Sequence, residues 1–123
     1  AAGENTPEAQ QHRFILGLNM IAVTRLFLKD VNIAATTALQ ALNPLGRELG
    51  LKAGANILMP IVTLPKFRPD YLLYDNKPCV EDSPDQCRNC LSARVASVGD
   101  TVGFGKWGDS PHYFREHGNG AKE

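Results

Sequence analysis

Two short runs of apolar residues stand on either side of a segment with helical character, and this pattern predicts a parallel pair of strands. The first run covers residues 31–37 and the second covers residues 56–60. Neither run alternates apolar with polar residues, which is typical of strands that are buried on both faces. The segment from Pro44 to Leu51 predicts a short helix between them. A connection that contains a helix joins parallel strands, because these cannot be joined by a tight hairpin.

A long helix is predicted before the first strand. Thr6-Pro7 is a typical helix start, because the threonine side chain accepts a free amide hydrogen and proline presets the first helical φ. The helix is predicted to run to about Leu28. Its apolar residues from Phe14 onward cover much more than one stripe of a helical wheel, so it requires contacts on several sides. The order helix, strand, helix, strand predicts an α/β fold with right-handed crossovers.

The regular pattern ends after Pro60. Four prolines at positions 65, 69, 78 and 84 exclude a long helix or a central strand and predict an ordered excursion over the surface. The apolar cluster Tyr71-Leu72-Leu73-Tyr74 is predicted to hold the excursion to the body of the protein. The chain therefore divides into a helix–strand–helix–strand segment at 1–64 and, at 65–123, the excursion, a short helix and a glycine-rich tail.

Composition and charge exclude some classes of partner. In the 123 residues, thirteen Lys and Arg balance thirteen Asp and Glu, so the net charge is zero and no global field favours nucleic acid or an anionic membrane. No apolar run reaches the roughly 20 residues that span a bilayer, and the N-terminus lacks the features of a signal peptide. We therefore expect a soluble cytoplasmic protein. The chain begins at Ala1, which fits either a piece of a longer protein or removal of an initiator Met.

The ends of the two predicted strands are candidate binding positions, because ligands meet parallel sheets at the carboxyl ends of the strands. Thr36 and Thr37 lie at the end of the first strand, and Met59 lies at the end of the second. Tyr71 is a further candidate to face the strand ends. The alternative is structural: threonines at a strand exit bond local backbone, Met packs, and a tyrosine packs with its hydroxyl satisfied.

All three cysteines of the chain lie within twelve positions, in the spacing C-x7-C-x2-C. They are Cys79, Cys87 and Cys90, and the last two are predicted to open a helix that runs to about Val98. Thiols at positions i and i+3 point the same way, and a helix N-terminus favours thiolates. Three thiolates suit an iron–sulfur cluster or zinc, with the fourth position taken by water, an exogenous group or a neighbour. The alternatives are a Cys87–Cys90 disulfide and three unremarkable thiols. His12, His112 and His117 have no metal spacing and are interpreted as solvated or structural.

Several of these segments together resemble a known family. Asn32 to Thr37, Gly46-Arg47-Glu48-Leu49, Gly54 to Pro60 and Tyr71 to Tyr74, followed by the three cysteines, are similar to the C-terminal part of the HydE family. Its members are radical S-adenosylmethionine (SAM) maturases of [FeFe]-hydrogenase and relatives of biotin synthase. The resemblance covers about residues 13–114. Its most specific features are G-A-N-x-x-M-P and the cysteine trio that follows it.

The resemblance implies the C-terminal portion of a (β/α)8 TIM barrel, with its last two strands near 31–37 and 56–60. In the family, a C-x3-C-x2-C loop holds the [4Fe-4S] cluster that binds SAM, and this sequence contains no such motif. The chain alone is therefore expected to be inactive. In the full-length parent, SAM and this cluster would serve assembly of the hydrogenase diiron site.

The resemblance also implies roles for individual residues. Thr36 and Thr37 match a threonine pair that lines the internal cavity, Met59 matches a methionine at the end of the last strand, and Tyr71 matches a tyrosine near the SAM pocket. The three cysteines match the ligands of an auxiliary iron–sulfur cluster that not all members retain. The expected partners are the rest of the parent barrel or, because sheet edges and apolar surface would be exposed, a second copy of the chain.

Two further interpretations stay open. The chain could be a stand-alone metal-binding or protein-interaction module, or part of a biotin synthase-like radical SAM enzyme of other substrate specificity.

Overall fold

A computed structural model describes residues 5–71 and 83–118. Five α-helices and one 3₁₀ helix form within these ranges. They are α1 at Pro7–Leu28, α2 at Thr37–Leu42, α3 at Gly46–Ala53, the 3₁₀ helix at Pro65–Tyr71, α4 at Pro84–Ser97 and α5 at Pro111–His117. None of the helices in the described part is both long and apolar enough to cross a membrane.

Helix α1 has the bounds that the sequence predicts. Thr6 is its N-cap, and the threonine Oγ1 accepts a hydrogen bond of 3.2 Å from the Ala9 amide. The helix ends at Leu28, and Lys29 follows with a φ of 52°. The prediction of a long helix with this start and this end is confirmed.

The predicted α/β fold, the C-terminal portion of a (β/α)8 TIM barrel, is wrong for this structure. The described residues are mostly helical and form no sheet. The two predicted strands meet only at one isolated parallel bridge, between Ala34 and Ile57. The Ala35 amide donates to the Ile57 carbonyl over 2.9 Å, and the Ile57 amide donates to the Ile33 carbonyl over 3.1 Å. The relative direction of the two runs is parallel, but the pairing ends after a single step.

The pairing ends because the chain turns into a helix at Thr36. The Thr36 side chain caps α2 by accepting a 3.4 Å hydrogen bond from the Leu39 amide. Residues 37–42, between the end of the first predicted strand and the helix predicted from Pro44, are helical. The next helix is also displaced: a turn in which the Gly46 amide donates to the Asn43 carbonyl over 2.7 Å delays the start of α3 to Gly46.

The hydrophobic core forms where α1, α2 and α3 meet around Leu39. Three glycines allow this close approach: a Cβ at Gly17 would lie 3.1 Å from Leu39 Cδ2, one at Gly50 would lie 3.2 Å from Leu39 Cδ1, and one at Gly46 would overlap the backbone of Leu39. The three glycines therefore leave the space that Leu39 occupies between the helices. The buried core residues are Phe14, Ile21, Ala35, Leu39 and Ala55.

Arg25 connects three parts of the backbone near this core. Its Nε donates to the Gly54 carbonyl over 2.8 Å, and its Nη1 donates to the carbonyl of Val31 over 2.8 Å and to that of Lys29. Its Nη2 donates to Asn56 Oδ1 over 3.1 Å. The fork of the guanidinium thus joins the end of α1, the turn after it and the exit from α3.

Asn56 completes this connection. Its Oδ1 also accepts from the Ile33 amide over 2.9 Å, and its Nδ2 donates to Asn32 Oδ1 over 3.0 Å. The preceding Gly54 has a φ of 125°, and a Cβ there would lie 2.9 Å from the Cβ of Arg25. The local structure therefore explains each residue of Gly54-Ala55-Asn56. Gly54 has a positive φ and no room for a side chain, Ala55 is buried, and the Asn56 side-chain amide forms the hydrogen bonds just described.

The C-terminal segment is attached to the turn after α1. The His112 amide donates to the Asp30 carbonyl over 3.3 Å, and Arg115 Nη2 lies 2.9 Å from Asp30 Oδ2. Asn32 Nδ2 donates to the Gly108 carbonyl over 2.8 Å. These contacts place residues 100–117 against the helical body.

We expect Arg25→Lys to lower the free energy of unfolding by about 2 kcal/mol, because lysine keeps the charge but cannot reach several carbonyls with a planar fork. Lys52→Arg, the reverse exchange at an exposed position of α3, is the control and should change stability by less than about 0.5 kcal/mol. Urea unfolding followed by circular dichroism measures both. Equal midpoints for Arg25→Lys and the unmodified protein would show that the fork does not stabilise the fold.

Candidate metal and ligand sites

Cys87 and Cys90 lie in the first half of α4, as the sequence predicts. The helix begins with a capping box in which the Gln86 amide donates to Ser83 Oγ over 3.2 Å and the Ser83 amide donates to Gln86 Oε1 over 2.7 Å. This start places the two cysteines on consecutive turns. Cys87 is fully buried, Cys90 is half-buried, and both are free thiols, so the alternative of a Cys87–Cys90 disulfide is not formed.

The predicted third ligand, Cys79, lies outside the described residues. Within 5–71 and 83–118, no group of three His, Cys, Asp or Glu side chains is arranged to hold a metal ion. The structure therefore provides two thiols of the predicted trio, on one helix and one turn apart. The three-cysteine site stays a prediction.

Arg94 connects the cysteine helix to α3. Its Nη1 donates to Glu48 Oε1 over 2.6 Å and to the Pro44 carbonyl over 3.2 Å. Burial acts to lower the pKa of Arg94, but hydrogen bonds to the Cys90 side chain and to Glu48, together with the Glu48 charge, outweigh it and raise the pKa above its ordinary value. A charged guanidinium, one turn after Cys90 on α4, therefore pairs with a carboxylate of a different helix.

Other polar groups on α2 and α3 are also buried. The Arg47 side chain is 1% exposed, and its Nε and Nη2 have no hydrogen-bond partner among the described residues. Glu48 Oε2 and Gln40 Oε1 are likewise buried without a partner in this part of the chain. Unpaired buried groups of this kind destabilise a fold, since each loses its hydration without compensation. Arg47 and Glu48 belong to the Gly46–Leu49 segment of the family resemblance, and nothing in that segment's sequence indicates that they are buried.

The four residues predicted to line a pocket lie in different environments. Thr36 and Thr37 are half-buried at the start of α2, and Thr36 Oγ1 caps that helix, which is the structural alternative considered from the sequence. Met59 is 59% exposed, and Tyr71, the last residue of the 3₁₀ helix, is 57% exposed. None of the four lines the cavity of about 660 Å³ that opens beside α4. Their role in binding stays a prediction.

Comparison with known proteins gives one strong similarity. No family model matches the chain. Over 112 residues, 89% of its length, the chain is 38% identical to the "[FeFe] hydrogenase maturase subunit HydE" of Thermotoga maritima. The match covers 32% of that protein, so the chain spans about a third of the length of the curated relative. The resemblance inferred from the sequence is confirmed, and this chain matches a segment of the hydrogenase maturase HydE.

Proposed function

We propose that this chain contributes to maturation of [FeFe]-hydrogenase as part of a HydE-like protein. The observation that carries the proposal is the 38% identity over 112 residues. The fold supports it, because Gly54, Ala55 and Asn56, which belong to the most specific motif of the resemblance, each have a structural reason to be present. The similarity thus includes residues that determine the path of the backbone.

We further propose that Cys79, Cys87 and Cys90 hold an auxiliary iron–sulfur cluster. Two of the three proposed ligands lie in the described residues and suit such a cluster, because Cys87 and Cys90 are free thiols on consecutive turns of α4. Such a cluster supplies one-electron chemistry when it is bound. Arg94 orients the Cys90 turn toward α3 through Glu48 and provides positive charge beside a thiolate ligand.

Thr36, Thr37, Met59 and Tyr71 are proposed to line the substrate or SAM cavity of the complete maturase. Met59 and Tyr71 are more than half exposed here, so both are accessible to another part of such an assembly. SAM and the [4Fe-4S] cluster that binds it are proposed for the complete maturase and not for these residues alone.

The outward face of α1 is proposed as the surface that meets the rest of the assembly. We define the α1 stripe as Leu16, Met20, Val23 and Phe27, whose spacing of four, three and four residues places them on one side of the helix. Their exposed fractions range from 51% to 83%. A continuous apolar stripe of this kind is typical of an interface. When no other partner is present, a second copy of the chain is proposed to cover it.

The maturation role is tested in a host that produces an [FeFe]-hydrogenase but lacks HydE, by supplying a hybrid HydE gene in which this chain replaces the segment that it matches. We expect hydrogen evolution to be restored, and we expect Cys90→Ala to reduce it, since that substitution removes a proposed cluster ligand. Hydrogen production by whole cells is the measurement. Restoration by a known HydE gene but not by the hybrid gene would contradict the proposal.

The cluster is tested separately by anaerobic reconstitution of the purified chain with ferrous iron and sulfide. We expect iron uptake and broad visible absorption that are lost in Cys90→Ala. Ser92→Ala is the matched control on the same helix, because the Ser92 hydroxyl donates to the Arg88 carbonyl over 3.1 Å and serine is not a proposed cluster ligand. Equal iron uptake by both variants, or none by the unmodified protein, would remove the cluster and leave the maturation proposal standing.

The stripe predicts self-association of the isolated chain. We expect sedimentation velocity to show dimers or larger species, and the double substitution Met20→Lys and Phe27→Lys to shift the protein to monomer, because two charges cannot be buried in an apolar contact. Val62→Lys is the control, since Val62 is 76% exposed and lies outside the stripe. A monodisperse monomer at high concentration would contradict this prediction.

A further inference from the structure

A cavity of about 660 Å³ lies beside α4. Its walls come from α4, residues 55–60 and residues 100–108, together with Leu51 at the end of α3. This volume is within the range of small-molecule sites in proteins. The apolar part of its lining consists mainly of Leu51, Ile57, Leu58, Leu91 and Val95.

Two cations and one carboxylate are found in the lining. The cations are Arg88 and Lys106, and the carboxylate is that of Asp100. Neither cation forms a salt bridge with any residue that the structure describes. The Arg88 guanidinium lies over the Phe104 ring at 4.6 Å from its centroid, an attractive arrangement that holds the charge in place. The cavity therefore offers two positive charges that no salt bridge with a described residue neutralises, although the Asp100 carboxylate also lies in its lining.

Aromatic rings form the outer wall. Phe104 is 54% exposed and Trp107 is 71% exposed, although both line the cavity. The Trp107 indole N–H is hydrogen-bonded to Asp109, so the face of the ring is what Trp107 offers to a ligand. Exposed rings beside an apolar floor favour the binding of a flat or aliphatic group.

The wall is anchored and does not depend on a ligand for its position. Gly108, at its end, accepts the 2.8 Å hydrogen bond from Asn32, and Asn32 in turn accepts from Asn56, another residue of the lining. The cavity is thus connected to the Arg25 fork through side-chain amides. A site whose walls are fixed in advance loses less conformational entropy when it binds.

We propose that this cavity binds a small amphipathic anion, with an apolar or aromatic body and one carboxylate, sulfonate or phosphate group. The body packs against Leu91, Val95 and the ring of Trp107, and the anionic group pairs with Arg88 and Lys106. The proposal does not rest on the cysteine cluster or on the maturation role, because neither Cys87 nor Cys90 lines the cavity.

The test uses two fluorescent probes that share an aromatic body. 8-Anilinonaphthalene-1-sulfonate carries the anionic group, and N-phenyl-1-naphthylamine is its neutral counterpart. Trp107 is the single tryptophan of the chain, so energy transfer from it reports binding close to the cavity. The background is the double variant Met20→Lys and Phe27→Lys, which removes the apolar α1 stripe as a competing site.

We expect Arg88→Met and Lys106→Met each to weaken binding of the sulfonate probe about fivefold, while affinity for the neutral probe stays the same. Lys52→Met is the matched control, since Lys52 is exposed and lies outside the lining. Ser92→Phe fills the cavity and should abolish energy transfer to both probes. Circular dichroism confirms that each variant is folded.

Three results would overturn the proposal. Unchanged sulfonate affinity in both cation variants would show that the cations do not bind the anion. An equal loss of affinity for both probes in those variants would show that the cations only support the apolar wall. Binding without energy transfer from Trp107 would place the probe elsewhere.

Discussion

The guanidinium fork of Arg25 is the interaction on which the arrangement of the other segments depends. Only one parallel bridge joins residues 33–35 to residue 57 in the described part of the chain, and one bridge holds two segments weakly. Arg25 adds hydrogen bonds to the carbonyls of Val31 and Gly54 and to the side chain of Asn56. A side chain therefore does here what a longer ladder of backbone hydrogen bonds does in a sheet. Arginine suits this role because its donors point in fixed directions within one plane.

The start of α1 was predictable from the sequence, whereas the start of α2 and the extent of strand pairing were not. Thr6-Pro7 places a cap and a preset φ side by side, and these local signals require no information about the rest of the fold. The run at 31–37 is apolar and β-branched at its ends, which is equally compatible with a strand and with an extended segment that pairs once. Thr36 and Thr37 illustrate the ambiguity, because threonine favours both strands and N-caps. In the structure the cap prevails, and α2 begins where the strand was predicted to end.

The candidate site was likewise predictable only where it depends on local sequence. The spacing of Cys87 and Cys90 on a helix was readable from sequence, because their relation depends only on helical geometry. Arg94 and Glu48 were missed, since they are 46 positions apart and meet only through the packing of α4 on α3. The cavity was missed for a similar reason: its lining combines α4 with residues 55–60 and 100–108, which are distant in sequence and come together only in the folded chain.

Helix α4 carries both candidate sites on different faces. Cys87, Cys90 and Arg94 follow one another at spacings of three and four, so they share the face that meets α3, whereas Arg88, Leu91 and Val95 share a neighbouring face that lines the cavity. The Arg94–Glu48 ion pair is the described polar contact that holds α4 to α3. A rotation of α4 about its axis would therefore break this pair and move Cys90 and Arg88 together, because a 14-residue helix with a capping box turns as one unit. The packing of one helix thus makes the position of the thiols and the shape of the cavity depend on each other.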